Sequence, residues 1–178
     1  SSTKMSPGAI VDEYLRLLEC CKGPHIRLFV ILALTTAGRA SAVLELTWDR
    51  VDFERGRINL SANEGRRKGR AAPPMNKRAR EALEAAHARH SINTVIEYGG
   101  EPVKSVKKAF RHAARKAGLH DVTPHVLRHT AAVWMIEAGV PLDEVAQFLG
   151  HTDAKVTYRV YARYRPEHLR KAAAALEF

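Results

Sequence analysis

His125, Arg128 and His129 stand three and four positions apart, immediately after Thr123-Pro124, a dipeptide that starts helices. At that spacing the three side chains share one helical face. The guanidinium fork donates paired bonds and keeps its proton, while an imidazole exchanges one near neutral pH. Two histidines four apart can also hold a metal. Here Val126 occupies the place of the glutamate that follows the first histidine in such sites, and no third ligand is evident, so no metal is assigned. The plainer account, a buried histidine satisfied by backbone, fits less well when three such residues crowd one turn.

Three further places hold polar groups that a helical protein has little structural need of. Thr35-Thr36-Ala37-Gly38-Arg39 ends an apolar run in glycine and then arginine, ordinarily a cation balancing a helix C-terminus. Leu149-Gly150-His151 puts a histidine just beyond a glycine-terminated segment. Tyr161 has Tyr158 and Tyr164 three residues to either side, a spacing commoner in packed stripes than around a nucleophile. Each is ordinary by itself.

In order along the chain, these residues resemble the pattern of the tyrosine recombinase (phage integrase) family. That pattern is an arginine after a glycine, then H-x-x-R-H, then L-G-H, then a tyrosine about ten residues on. Here it is matched by Gly38-Arg39, His125 to His129, Leu149-Gly150-His151 and Tyr161. Leu46-Thr47-Trp48 followed by Val51-Asp52-Phe53 is also similar to the stretch after the family's first arginine, and the resemblance runs from about residue 6 to 170. Arg159-Val160-Tyr161-Ala162 matches the family's local context, which favours Tyr161 over its two neighbours.

The resemblance implies a catalytic domain that cuts and rejoins DNA through a 3′-phosphotyrosyl intermediate, with no metal, ATP or other cofactor. Arg39 and Arg128 would clamp the phosphate, and His151 would donate a further bond to it. Tyr161 would be the nucleophile, with His125 as proton acceptor or orienting group and His129 in support. The family places an acid for the leaving 5′ oxygen on the turn between its second and third strands. That turn falls in the basic loop Arg66-Arg67-Lys68-Gly69-Arg70, where Lys68 is the only lysine. Arg66, Arg67 and Arg70 are then expected to grip the DNA backbone. One departure stands out: the family often has an acid three residues after the first arginine, where this chain has Ala42.

Turns and breakers outline the elements that must position these groups. Ser6-Pro7 and Pro24 each open a helix, the second mostly buried from Ile26 to Thr36, with a short helical piece after Gly38. Trp48 to Phe53, Arg57 to Leu60 and Ala71 to Met75 predict a small antiparallel meander. Asn76 caps a charged helix reaching about His90, and Val95 to Tyr98 is extended up to Gly99-Gly100. Pro102 is expected to open an amphipathic helix closed by Gly118, with Val103, Val106, Phe110, Ala113 and Ala117 on one face and Lys104, Lys108, Arg111 and Arg115 on another. A basic stripe of one sign points to phosphate contact. Helices from Pro124 to Gly139, from Pro141 to Gly150 and from about Asp153 through the tyrosines complete a mainly α architecture with one small antiparallel β-sheet (α+β).

The 178 residues suit a single catalytic domain, 46% hydrophobic, and the helical DNA-clasping domain that precedes it in the family is expected to be absent. Lys and Arg number 29 against 19 acids, a formal charge of +10 that favours a polyanion, here double-stranded DNA, as partner. No apolar run approaches the roughly 20 residues of a bilayer span. The adjacent Cys20-Cys21 frames no disulfide scaffold, which points to a cytoplasmic, nucleoid-associated protein. The alanine-rich tail, Ala172 to Phe178, reads either as a segment that docks on a second copy during self-association on DNA or equally as a frayed end. Two other readings stay open: a non-catalytic DNA-binding remnant of an integrase, which Ala42 keeps alive, and a type IB topoisomerase-like strand transferase.

Overall fold

A computed structural model describes residues 11–61, 71–120 and 122–177. The chain begins with helices α1 (Val11–Glu19), α2 (Pro24–Thr36) and α3 (Ala40–Leu44), followed by strands β1 (Val51–Asp52) and β2 (Arg57–Ile58). Helix α4 (Lys77–Ala88) leads to strands β3 (Glu97–Tyr98) and β4 (Glu101–Pro102) and then to α5 (Lys107–Lys116). The last part holds α6 (Pro124–Glu137), α7 (Leu142–Leu149), α8 (Ala154–Tyr161) and α9 (Arg170–Ala175).

Helix α2 is the axis of the molecule. Pro24 pre-sets its first turn, and its apolar side chains are buried on every face. A helix that is apolar all round belongs in a core rather than on a surface. It packs against α6, α4 and α3. Its main cluster takes in Leu17 and Leu18 of α1, Leu83 of α4, Phe110 of α5 and Ile58 of the sheet. A second cluster is built from Ala37, Ala131, Ala132, Val133, Ile136, Val145, Leu149 and Tyr161, at the joint between the end of α2 and helices α6, α7 and α8.

The expected meander is present in a truncated form. β1 pairs antiparallel with β2, Val51 opposite Ile58. The Ala71–Met75 run lies along the other side of β2: Ile58 N–H donates to Pro73 O (3.0 Å), Leu60 N–H to Ala71 O (2.8 Å) and Met75 N–H to Gly56 O (2.7 Å). Pro73 and Pro74 have no N–H to return, so this third run forms a bridge at Arg57 and Pro74 instead of a strand.

A further element differs from its sequence-based expectation. Pro102 does not open a helix but closes a hairpin, with Tyr98 opposite Glu101 and Glu97 opposite Pro102. Gly99 and Gly100 both have positive φ (60° and 78°), the backbone of a two-residue turn whose twist matches that of paired strands. Helix α5 therefore starts at Lys107, and Val103 and Lys104 precede it. No helix among the described residues is long and apolar enough to cross a membrane.

Candidate active site

The site is assembled where α2 and α7 end against α6. At the end of α2, Thr36 Oγ1 donates to Leu32 O (2.6 Å) and accepts the Gly38 N–H (3.1 Å). Ala37 turns through the left-handed region (φ 54°), which releases its carbonyl from the helix. Gly38 is needed for space: a Cβ there would lie 2.9 Å from Leu60 Cδ1 and 3.0 Å from Thr36 Oγ1. The chain then leaves in extended form through Arg39, which is exposed at the start of α3. Ala42, at the position where an acid was a family expectation, is buried inside α3.

Helix α7 ends in a paired cap, His151 N–H to Ala146 O (2.9 Å) and Gly150 N–H to Gln147 O (3.0 Å). This leaves the Leu149 carbonyl without a helical donor. Arg128, on α6, supplies one: its Nη2 donates to Leu149 O at 2.9 Å, while Nη1 donates to Ala37 O at 2.7 Å. Arg128 is only 5% exposed, and its guanidinium stitches three helices together. A guanidinium carries five N–H donors, so three remain for another acceptor.

Burial lowers the Arg128 pKa to about 10, with the neighbouring Arg39 cation adding to the effect and Tyr161 opposing it. The group stays charged at neutral pH. The His151 pKa is also lowered, first by burial and then by Arg128 and Arg39. Arg128 and His151 thus both lie within the field of Arg39, and His151 also within that of Arg128. Among the described residues no carboxylate pairs with Arg128, and none is a cause of these shifts. Concentrated positive charge of this kind fits an anion.

Tyr161 ends α8, a helix begun by the Asp153 side chain, which accepts the Lys155 N–H (2.9 Å). It is 8% exposed, and its hydroxyl oxygen lies 3.3 Å from His129 Nδ1. The rings sit 5.3 Å apart, with Tyr164 edge-on to His129 at 6.2 Å. Burial raises the Tyr161 pKa, Arg128 works against that, and Tyr164 adds to it. The His129 pKa is lowered, chiefly by burial and further by His125 and Arg163, which favours a neutral ring able to accept a proton.

The structure therefore brings Arg39, Arg128, His151 and Tyr161 to one region. It separates Tyr161 from its neighbours: Tyr158 is exposed beneath the Arg165 guanidinium (5.6 Å), and Tyr164 carries Arg163 over its ring (4.9 Å). At the tyrosine hydroxyl it brings His129 rather than His125. The short 3₁₀ turn after α8, Ala162–Tyr164, packs on α6 and sets the tyrosine level with His129, while His125, one turn earlier, is exposed. Lys68, Arg66, Arg67 and Arg70 lie outside the described residues. Thr157, which had no evident role in the sequence, is fully buried with its Oγ1 2.5 Å from His151 Nδ1. Its only sequence signal is a position four residues before Tyr161, on the same helical face.

The basic stripe is shorter than expected. Lys108, Arg111 and Arg115 are exposed on α5, and Lys104 is exposed in the segment before it. Helix α4 is equally charged but pairs its cations, Lys77 with Glu81 (3.9 Å) and Arg80 with Glu84 (3.6 Å). Helix α5 contains no acidic residue.

Known proteins are similar to this chain in sequence and in fold. The integrase of Salmonella phage P22 is 29% identical over 178 residues, covering 93% of this chain and 46% of that protein. The tyrosine recombinase XerA of Thermococcus kodakarensis is 31% identical over 153 residues, 82% of this chain and 53% of the relative. The chain thus spans about half the length of these curated relatives. A solved structure of the Tn1549 transposon integrase in complex with circular intermediate DNA superposes with a TM-score of 0.79 at 19% identity, covering 99% of this chain and 69% of that one. The sequence profile of the phage integrase family matches residues 10–168, so this chain belongs to the phage integrase family.

Proposed function

We propose that this chain is the catalytic domain of a site-specific DNA recombinase. The observation that carries the reading is the Tyr161 hydroxyl beside His129, next to an Arg128 whose guanidinium is held by two carbonyls and, among the described residues, by no carboxylate. In the proposed reaction the Tyr161 oxygen attacks a DNA phosphorus in line. A Tyr–O–P bond forms, the P–O5′ bond breaks, and the product is a 3′-phosphotyrosyl link and a free 5′ hydroxyl. His129 receives the tyrosine proton, and Lys68 supplies one to the departing 5′ oxygen. His125, exposed on the same face, holds the phosphate from outside.

Arg39, Arg128 and His151 act on the non-bridging oxygens, where charge grows in the pentacoordinate transition state. Attack by the 5′ hydroxyl of a second strand reverses each bond change, so the phosphodiester energy is retained. Lys108, Arg111 and Arg115, together with Lys104, Arg66, Arg67 and Arg70, contact the DNA backbone and add to affinity without reading bases. DNA complexes of the Tn1549 integrase support DNA as the partner. Association of two copies on DNA is proposed through the tail, where Leu169 (67%) and Leu176 (76%) are exposed beside a solvent-covered α9. A protein with this partner works in the cytoplasm at the nucleoid.

The test is a pool of nicked duplexes of randomised sequence, incubated with the protein and then denatured. Covalent protein–DNA adducts are expected, and Tyr161→Phe abolishes them. Adducts that survive in Tyr161→Phe, or salt-sensitive binding with no adduct in the wild type, would overturn the enzyme reading.

A further inference from the structure

The partner of His151 is a buried hydroxyl whose proton has one place to go. Thr157 Oγ1 is fully buried 2.5 Å from His151 Nδ1. Threonines in helices often donate to the carbonyl one turn back, but among the described residues Thr157 has no such bond and no other side-chain partner. A buried O–H left without an acceptor is costly, so the hydroxyl donates to Nδ1. A neutral imidazole has one proton, and a ring accepting at Nδ1 must carry it on Nε2.

That choice has chemical consequences. Burial and two nearby guanidinium groups favour the uncharged ring. An uncharged imidazole can donate to a phosphate oxygen only through a nitrogen that bears hydrogen. With the other tautomer, a lone pair would face the anion. We infer that Thr157 is a positioning residue that holds His151 in the tautomer protonated on Nε2, making it a donor to the anion bound between Arg39 and Arg128. This rests on the recombinase reading for the identity of the anion, and on the Thr157–His151 contact alone for the tautomer.

The placement also links two events. Thr157 and Tyr161 lie four residues apart on α8, so the nucleophile and the group that orients the phosphate-binding histidine arrive on one helix. Withdrawal of α8 would free both at once, leaving a site that neither attacks nor fully grips a phosphate.

The experiment is nitrogen-15 NMR of the histidine rings at mildly alkaline pH, in wild type, Thr157→Ser and Thr157→Val, each titrated with inorganic phosphate. In the wild type His151 is expected to show a bare Nδ1 and a protonated Nε2. Thr157→Val, of similar shape but without the hydroxyl, should populate the other tautomer and bind phosphate about tenfold more weakly, the loss of one oriented neutral hydrogen bond. Thr157→Ser should restore both. A wild-type ring protonated on Nδ1, or a Thr157→Val protein with an unchanged tautomer, overturns the inference. If Thr157→Val fails to fold, the wild-type and Thr157→Ser spectra still decide. Absence of DNA adducts in the wild type would count against the recombinase reading and leave the tautomer result standing.

Discussion

Helices α5 and α6 both present basic residues at helical spacing, yet the fold treats them in opposite ways. On α5, Lys108, Arg111 and Arg115 stand in water with no acid on the helix to answer them. On α6, Arg128 is taken out of water and fastened to the carbonyls of Ala37 and Leu149. Exposed cations keep their hydration and their freedom, so they grip a long anion loosely and in any register. A buried guanidinium has already lost its water and its rotamers, so little remains to be reorganised when a single phosphate arrives. The first arrangement suits affinity for a polymer; the second suits rate at one atom.

The largest effect separating the two is expected at Arg128. Arg128→Ala should lower the rate of covalent adduct formation by about 10²–10³-fold, the usual loss for a preorganised transition-state donor. It should also cost about 1–3 kcal/mol of stability, because two buried carbonyls lose their donor, and urea unfolding would measure it. If the rate falls while stability is unchanged, the carbonyl bonds are not structural. Replacing Lys108, Arg111 and Arg115 together by Gln should do the converse. Stability and the adduct rate at saturating DNA should stay level, while the slope of log affinity against log salt becomes shallower by about 3. Loss of the adduct at saturating DNA would move α5 from the grip to the chemistry.

Smaller effects follow from burial of the imidazoles. His25, His129 and His151 all have lowered pKa values, with burial the leading cause. The unfolded chain therefore takes up protons that the folded one refuses. Stability should be full above roughly pH 6.5, the ordinary histidine value, and decline as the pH falls from there through the lowered folded values. Melting temperatures from about pH 8 to about pH 5 would show it. A flat or rising profile on acidification would mean that these rings are charged in the fold. The smallest effect is expected at the end of α2, where Ala37→Gly should stabilise the protein by about 1 kcal/mol by relieving a left-handed alanine. A loss of stability instead would show that its methyl, fully buried in the second cluster, matters more than the backbone.

Much of this organisation was legible in the residues. Pro24, Pro124 and Pro141 fall where α2, α6 and α7 begin, and Asn76 caps α4 through its side chain (2.9 Å to the Ala79 N–H). Arg39 and Arg128 stood out because a glycine-terminated apolar run and a polar helical turn are conspicuous in sequence. Pro102 was read as a helix start because proline opens helices, but two consecutive glycines make a tight turn, and the hairpin prevailed. His125 and His129 could not be ranked from spacing, since both share Arg128's face; the choice depends on how α8 docks. Thr157 was silent for the same reason. Its contact with His151 is made across the turn between α7 and α8, and nothing local announces it.

The two prolines beside β2 have a consequence for behaviour at high concentration. Successive residues of an extended run aim their N–H groups to opposite sides, so Pro73 and Pro74 remove one donor from each. The outer rim of the sheet therefore makes a poor template for a strand from another molecule. At high protein concentration that rim resists the edge-to-edge growth that turns soluble chains into aggregates.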